Sequence, residues 1–144
     1  MCGIIGCVGR GTETLDTLVE GLGTLEYRGY DSAGVALVDD DGLSVVKAAG
    51  ELSALRERLA DRALSGTVGI GHTRWSTHGP PTDENAHPHQ DCTGDVAVVH
   101  NGIIENYQSL RDELVGAGHT FTSDTDTEVV PHLIEDALNG GADP

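Results

Sequence analysis

A cysteine in second place is the first feature of this chain that could do chemistry, in the opening Met1-Cys2-Gly3-Ile4-Ile5-Gly6. Removal of Met1 leaves a thiol and a free α-amino group on one residue. The amine, with a reference pKa of about 7.7–8.0 against about 8.5 for the thiol, can take the thiol proton near neutrality. Gly3 keeps the space beside the sulfur clear. The bland alternative makes Cys2 a small apolar residue at the start of a buried strand. A cysteine that attacks a carboxamide also needs oxyanion donors and groups that grip its substrate. Asn101-Gly102 offers a side-chain amide beside a backbone N–H, although Asn-Gly also forms type I′ hairpin turns. Arg74 suits a carboxylate, and Asp126 suits an ammonium. Such a set describes a pocket for an α-amino acid with a side-chain amide, glutamine or asparagine.

The histidines raise the question of zinc. His72, His78, His87 and His89, with Cys92, match no common structural zinc spacing, and Cys-x-x-Cys does not occur. Packing or hydrogen-bonding histidines are expected instead, and no metal. Asp39-Asp40-Asp41 has no later Glu to complete a calcium loop. No nucleotide-type Gly-rich loop is present, so no organic cofactor is expected either. Trp75, the single tryptophan, lies in a polar turn and suits a cover over the site.

Composition narrows the partners. A chain of 144 residues is long enough for one domain with its own core. Its formal charge is −16, from 24 acidic and 8 basic residues, which argues against nucleic acid and anionic membrane partners. At 38% hydrophobic content with periodic segments, the acidity is that of a solvated surface coat, as halophile proteins use, and not of disorder. The odd count of 3 cysteines, the lack of a signal peptide and the lack of a long apolar run point to a reducing cytoplasmic setting. A Cys2–Cys7 bridge is disfavoured, because residues five apart on a strand face opposite ways.

The elements that must position these residues follow from periodicity. Residues 3–8 read as a strand covered on both faces. Leu15, Leu18, Val19, Leu22 and Leu25 place an amphipathic helix over residues 13–26. Strands at 33–38 and 43–48 flank a turn in which Gly42 takes positive φ. A helix over 53–64 turns Leu52, Leu55 and Leu59 inward, and a buried strand covers 67–71. Residues 72–95 read as one long loop, of the length that is usually functional. A strand at 96–99 follows, then a helix capped by Asn106 that buries Tyr107, Leu110 and Leu114. Thr125-Asp126-Thr127-Glu128 reads as a capping box, with Pro131 delaying or bending the last helix. The interleaving predicts a layered α/β architecture.

Several stretches carry a resemblance. Cys2-Gly3-Ile4-Ile5-Gly6 resembles the opening of the N-terminal nucleophile (class II) glutamine amidotransferases. The run from Leu25 to Gly34, then Gly71-His72-Thr73-Arg74-Trp75-Ser76-Thr77-His78-Gly79, Asn85-Ala86-His87-Pro88-His89, the run from Val98 to Asn106 and Thr125-Asp126-Thr127-Glu128 are similar to the glutamine–fructose-6-phosphate aminotransferase (glucosamine-6-phosphate synthase) family. The resemblance covers the whole length in order. It implies a four-layer αββα sandwich, with Cys2 attacking the glutamine side-chain amide to form a glutamyl thioester. It also implies an oxyanion hole of Asn101 and Gly102, and a substrate pocket of Arg74, Trp75, Thr77, His78 and Asp126. Arg28 and Gly3 act as supporting residues around the nucleophile. Ammonia passes to fructose 6-phosphate in two isomerase domains that this chain lacks. The family's glutaminase domain is also longer, so residues 1–144 are expected to be a partial domain with an incomplete second sheet. Three states are then open: an open domain, one completed in a homodimer, or a fragment. Two rival readings remain, a catalytically silent glutamine- or partner-binding protein and a glutaminase serving another ammonia acceptor.

The acidic coat carries its own prediction. On transfer from molar salt to dilute buffer the circular dichroism of the folded chain is expected to collapse, as the carboxylates lose their screening. An unchanged spectrum contradicts the halophile reading.

Overall fold

Alternation along the strands decides which side of the molecule each residue serves. A computed structural model of the chain describes residues 1–9, 13–76 and 79–141. Its main sheet is antiparallel in the order β1-β4-β2-β3, formed by β1 (Gly3–Val8), β2 (Ser32–Asp39), β3 (Gly42–Ala49) and β4 (Val68–Arg74). Helices α1 (Glu13–Leu25) and α2 (Leu52–Ala60) cover one face. Ala33, Val35 and Leu37 of β2 and Val46 and Ala48 of β3 meet Leu18 and Leu22 of α1 and Leu52, Leu55 and Leu59 of α2 in one buried cluster. Each of these leucines contributes roughly 1.5–3 kcal/mol by leaving water.

The opposite face of the main sheet meets a small second sheet of β5 (His89–Gln90) and β6 (Ala97–Val98). Behind it lie α3 (Tyr107–Ala117) and α4 (Val129–Asn139), which pack on each other. An apolar cleft lined by Val38, Ile70, Val96 and Ile134 separates the layers at one end. The order of layers is helix, sheet, sheet, helix, an αββα sandwich whose second sheet has two strands among the described residues. No helix among those residues is long and apolar enough to cross a membrane.

Several sequence expectations need correction. β1 is not covered on both faces: it pairs with β4 alone and leaves Ile4 46% and Val8 84% exposed. Only Gly3, Ile5 and Cys7 turn toward α1. Gly3 does not clear space for the sulfur; a Cβ there would lie 2.7 Å from Leu25 Cδ1 and 2.9 Å from Thr73 Oγ1. The second helix stops at Ala60, because its inward stripe runs out after Leu59 and Ala63 has nothing large to bury. The strand drawn at 67–71 continues to Arg74. Pairing to β1 on one side and β2 on the other holds polar residues in the ladder that their composition alone assigned to a loop. Residues 72–95 therefore begin in β4 and contain β5. Asn106 precedes α3 without a side-chain cap, and of that helix's inward set only Leu114 is fully buried. The capping box is also displaced. Glu128 itself precedes α4, and its carboxylate accepts from the backbone N–H groups of Thr122 and Ser123 at 2.7 Å each. Pro131 then falls in the first turn of α4, where a missing N–H costs nothing. The turn between β2 and β3 matches expectation, with Gly42 at φ 118°.

The segment leading into β5 passes tightly over β2 at Gly34 and His87. A Cβ on Gly34 would lie 2.1 Å from the His87 carbonyl oxygen, so this position on β2 admits only glycine if the His87-Pro88 segment is to pass. Gly34→Ala is expected to cost about 1–3 kcal/mol by overpacking, a fall in Tm of roughly 2–4 °C for each kcal/mol. Gly6→Ala, where nothing lies within 4 Å of the added carbon, is the matched control and is expected to stay within about 0.5 kcal/mol. Equal losses in the two variants contradict the close approach.

Three histidine rings fill the space between the sheets. His72 and His87 lie 4.4 Å apart between centroids, as do His87 and His89, and all three are buried. His89 Nε2 meets Thr125 Oγ1 at 2.8 Å, whereas neither ring nitrogen of His72 has a hydrogen-bond partner among the described residues. Burial, reinforced by the charge of Arg74, pushes the His72 imidazole down to about 4. Burial pushes His87 and His89 down as well. These folded-state values lie below the unfolded value of about 6.5, so between the two the unfolded chain binds more protons. The stability that the neutral rings allow is present above about pH 6.5 and lost as pH falls toward the folded values. The urea midpoint is expected to drop between about pH 7 and pH 5, less steeply in His72→Leu. A midpoint independent of pH over that range contradicts the buried neutral column.

Candidate functional site

Even-numbered residues of β4 face the second sheet, so Ile70 borders the apolar cleft and His72 and Arg74 face a separate cavity. The pairing Gly3↔Thr73 sets the start of β1 against this end of β4, which brings Cys2 alongside. The backbone N–H of Trp75 donates to Cys2 Sγ at 3.2 Å.

Asp31 builds the corner that aims this N–H. Its own N–H donates to the Arg74 carbonyl at 2.8 Å, and its carboxylate accepts from the Ser76 N–H at 2.7 Å. Between these two bonds the Trp75 peptide turns toward the sulfur. The Trp75 ring stays 53% exposed and rests against Gly29, whose φ of 72° needs a glycine and where a Cβ would lie 3.4 Å from the indole. The Met1 ammonium donates to the carbonyls of Arg28 at 3.0 Å and Gly29 at 2.7 Å. The Arg28 carbonyl thus contacts the first residue of the chain, while its guanidinium lies over Tyr27, 5.7 Å from the ring centroid.

The cavity has a volume of about 200 Å³. One wall holds Cys2, Arg74 and Trp75, and the other holds Asn101, Gly102 and Asp126. Arg74 is 4% exposed and donates to Ser76 Oγ at 3.0 Å. Burial lowers its pKa, against the pull of Asp31, Cys2 and Asp126, which favour the charged form. Asp126 Oδ2 accepts from the Ile104 N–H at 2.7 Å. This bond ties the segment before α4 to the loop after β6.

His100 is the post between these two segments. Its N–H donates to His87 Nδ1 at 3.3 Å, and its own Nδ1 meets Thr127 Oγ1 at 3.3 Å. Its ring lies so close under Gly102 that a Cβ there would sit 2.7 Å from His100 Nε2. Residue 102 can therefore pack on the His100 ring only because it has no side chain of its own.

Six of the residues chosen from the sequence, Cys2, Arg74, Trp75, Asn101, Gly102 and Asp126, line this one cavity. Gly3 and Arg28 lie outside its lining and shape what surrounds it. Thr77 and His78 lie outside the described residues. Sequence reasoning gave no place at the cavity to Asp31, His100, Thr125 and Thr127, and expected of His87 only packing or hydrogen bonding. Asp31 carried a signal, as an acid just before a strand start, but nothing showed that its partner was the Arg74–Ser76 corner. His87 and His89 do not converge with Cys92 as a zinc set; they stack with His72 instead.

Comparison with known proteins places the chain in a family. The family model of the glutamine amidotransferase domain matches residues 44–140. The chain is 57% identical over 138 residues to glutamine–fructose-6-phosphate aminotransferase [isomerizing] of Pyrococcus horikoshii, covering 96% of this chain and 23% of that protein. It is 63% identical over 142 residues to the protein of the same name from Halobacterium salinarum, covering 98% and 23%. The chain spans about a quarter of the length of the curated relatives it matches. Among solved structures, glutamine phosphoribosylpyrophosphate amidotransferase from B. subtilis, complexed with ADP and GMP, superposes with a TM-score of 0.77 at 28% identity. That match covers 100% of this chain and 30% of the other. An allosteric regulatory enzyme of purine biosynthesis gives 0.79 at the same 28% identity and the same coverage. With well over half its residues matched and its fold shared, the chain belongs to the glutamine amidotransferase domain family.

Proposed function

We propose that the cavity hydrolyses the side-chain amide of glutamine with Cys2 as nucleophile. The observation that carries this reading is the meeting of Cys2, Arg74, Asn101-Gly102 and Asp126 around one cavity. Arg74 and Asp126 are the charged side chains among its described lining residues, one of each sign. An α-amino acid zwitterion is the complement of such a pair. Its carboxylate pairs with the Arg74 fork and its ammonium with Asp126. The side-chain amide then reaches back toward the sulfur.

After Met1 is removed, the Cys2 amine accepts the thiol proton. The sulfur adds to the amide carbon, and the oxyanion is met by the Asn101 side-chain N–H and the Gly102 backbone N–H. The protonated amine returns its proton to the leaving nitrogen, and ammonia departs from a glutamyl thioester. Water, deprotonated by the same amine, attacks the thioester. Glutamate is released and the thiol restored. Trp75, exposed at the rim, covers the bound substrate and guides ammonia away from water. Thr77 and His78 complete the pocket. These steps use the chain's own residues, without a metal or organic cofactor.

The names of the relatives extend the reading to the acceptor. In a protein with the isomerase domains, the ammonia is used to make glucosamine 6-phosphate from fructose 6-phosphate, in the cytoplasm. A homodimer is the assembly in which a second copy could supply strands to the short second sheet.

Intact-protein mass in high salt, before and after a glutamine-analogue electrophile, tests the nucleophile. The expected result is a chain lacking Met1 that gains one adduct, with no adduct in Cys2→Ala. In a turning-over preparation Asn101→Gly is expected to lower kcat by about 10²–10³, and Arg74→Ala to raise KM for glutamine at least about tenfold, or about 1.4 kcal/mol. A chain that keeps Met1 or refuses the adduct supports the silent-binder reading.

A further inference from the structure

A second group of reactive side chains lies away from the cavity, where three separate segments meet. Cys92 comes from the turn after β5, His119 from the exit of α3 just past Gly118, and His132 and Glu135 from one turn of α4. One ligand-type atom from each lies within 4.8 Å of the others. We propose that these four residues form a tetrahedral site for a zinc ion.

The distances favour a shared ion over a hydrogen-bonded cluster. Cys92 Sγ lies 3.6 Å from His119 Nδ1 and 3.6 Å from His132 Nδ1. Glu135 Oε2 lies 3.2 Å from His119 Nδ1 and 3.5 Å from His132 Nδ1. Zinc bond lengths in a tetrahedron require about 3.5–3.6 Å between a thiolate sulfur and an imidazole nitrogen, and about 3.3 Å between nitrogen and carboxylate oxygen. These four of the six edges fall within about 0.2 Å of these values, and the other two are no longer than 4.8 Å. As hydrogen bonds they are poor: one thiol proton faces two imidazole nitrogens, and 3.5 Å is long for nitrogen to oxygen.

The surroundings suit metal ligation. Asp136 Oδ1 accepts from the His119 Nε2–H at 2.9 Å, the partner a histidine bound to metal through Nδ1 needs on its other nitrogen. The Thr120 N–H donates to Cys92 Sγ at 3.3 Å, and the Cys92 N–H donates to Glu135 Oε2 at 3.1 Å. The Phe121 ring packs on His132, 4.5 Å between centroids. The side chains of His119, His132 and Glu135 are 8%, 1% and 11% exposed, while Cys92 stands on the open side and gives the ion a way in. A thiolate, two imidazoles and one carboxylate leave no open position, the ligand count of a structural site, and select zinc over calcium or magnesium. Two anionic ligands balance the ion's charge, and binding releases the thiol proton to solvent.

The full chain, freed of any affinity tag, is loaded with zinc, dialysed and analysed for metal, then reloaded with cobalt(II) as a spectroscopic stand-in. One equivalent of zinc is expected to be retained. Cobalt is expected to show tetrahedral d–d bands with a thiolate charge-transfer band. Cys92→Ser is expected to abolish that band and weaken binding more than 100-fold, while Cys2→Ala changes neither. Asp136→Asn, at a side chain 52% exposed and so harmless to folding, is expected to weaken binding about 10–100-fold. Retention well below one equivalent, a cobalt spectrum without the thiolate band, a band that survives Cys92→Ser, or unchanged affinity in Asp136→Asn overturns the proposal.

Discussion

β4 is hydrogen-bonded along both sides, to β1 through pairs such as Gly3↔Thr73 and to β2 through pairs that end at Ser32↔Arg74. That double pairing sets the parity of its residues. Gly69, Gly71 and Thr73 turn to α1, where a Cβ on Gly69 would meet Leu18 and one on Gly71 would meet Ile5 and Leu22. Ile70, His72 and Arg74 turn to the second sheet. A slip of one residue would put Thr73 or Trp75 where the guanidinium now stands and turn Arg74 toward the leucine cluster. The position of the cation in the cavity is therefore a consequence of strand register. The sulfur follows from the same register, because β1 has no other partner among the described residues.

The second constraint is how closely backbone must approach backbone. Gly34 lets the His87 segment cross β2, and Gly102 lets its amide sit on the His100 ring. The histidines between these points are buried without charge, with imidazole pKa values pushed below their ordinary range. Charging them would place cations beside Arg74 in a dry layer, at the cost of the contact between the sheets. They hold the Asn101-Gly102 loop at its distance from β4 as neutral spacers.

Local chemistry was legible where one residue type could do one job. Cys2, Arg74, Asn101, Gly102 and Asp126 were each recognisable by type, and the helix cores by the spacing of Leu18, Leu22, Leu52 and Leu55. What eluded the sequence was anything settled by a distant partner. His72, Thr73 and Arg74 read as loop because polar residues rarely continue a buried strand, and only pairing on both sides holds them there. Glu128 read as capping Thr125, yet its carboxylate found Thr122 and Ser123. Cys92 was weighed with the histidines near it in sequence, while its neighbours in space, His119, His132 and Glu135, are 27, 40 and 43 residues away.

That last grouping bears on the cavity through a single segment. The chain from Gly118 to Glu128 is bound at its base by His119 against Glu135 and Asp136. Its middle is held by the Ser123 carbonyl, which accepts from Arg111 at 3.0 Å. Near its tip Asp126 accepts from Ile104. Asp126 lies just ahead of α4, so any clamp that fixes the angle of that helix also fixes the carboxylate that faces the cavity. A zinc ion joining Cys92 to α4 would act as such a clamp, setting the distance between Asp126 and Arg74 without touching either. The two sites would then be joined by a rigid helix: its first turn carries one of the zinc-binding histidines, and the carboxylate of the cavity stands just before it.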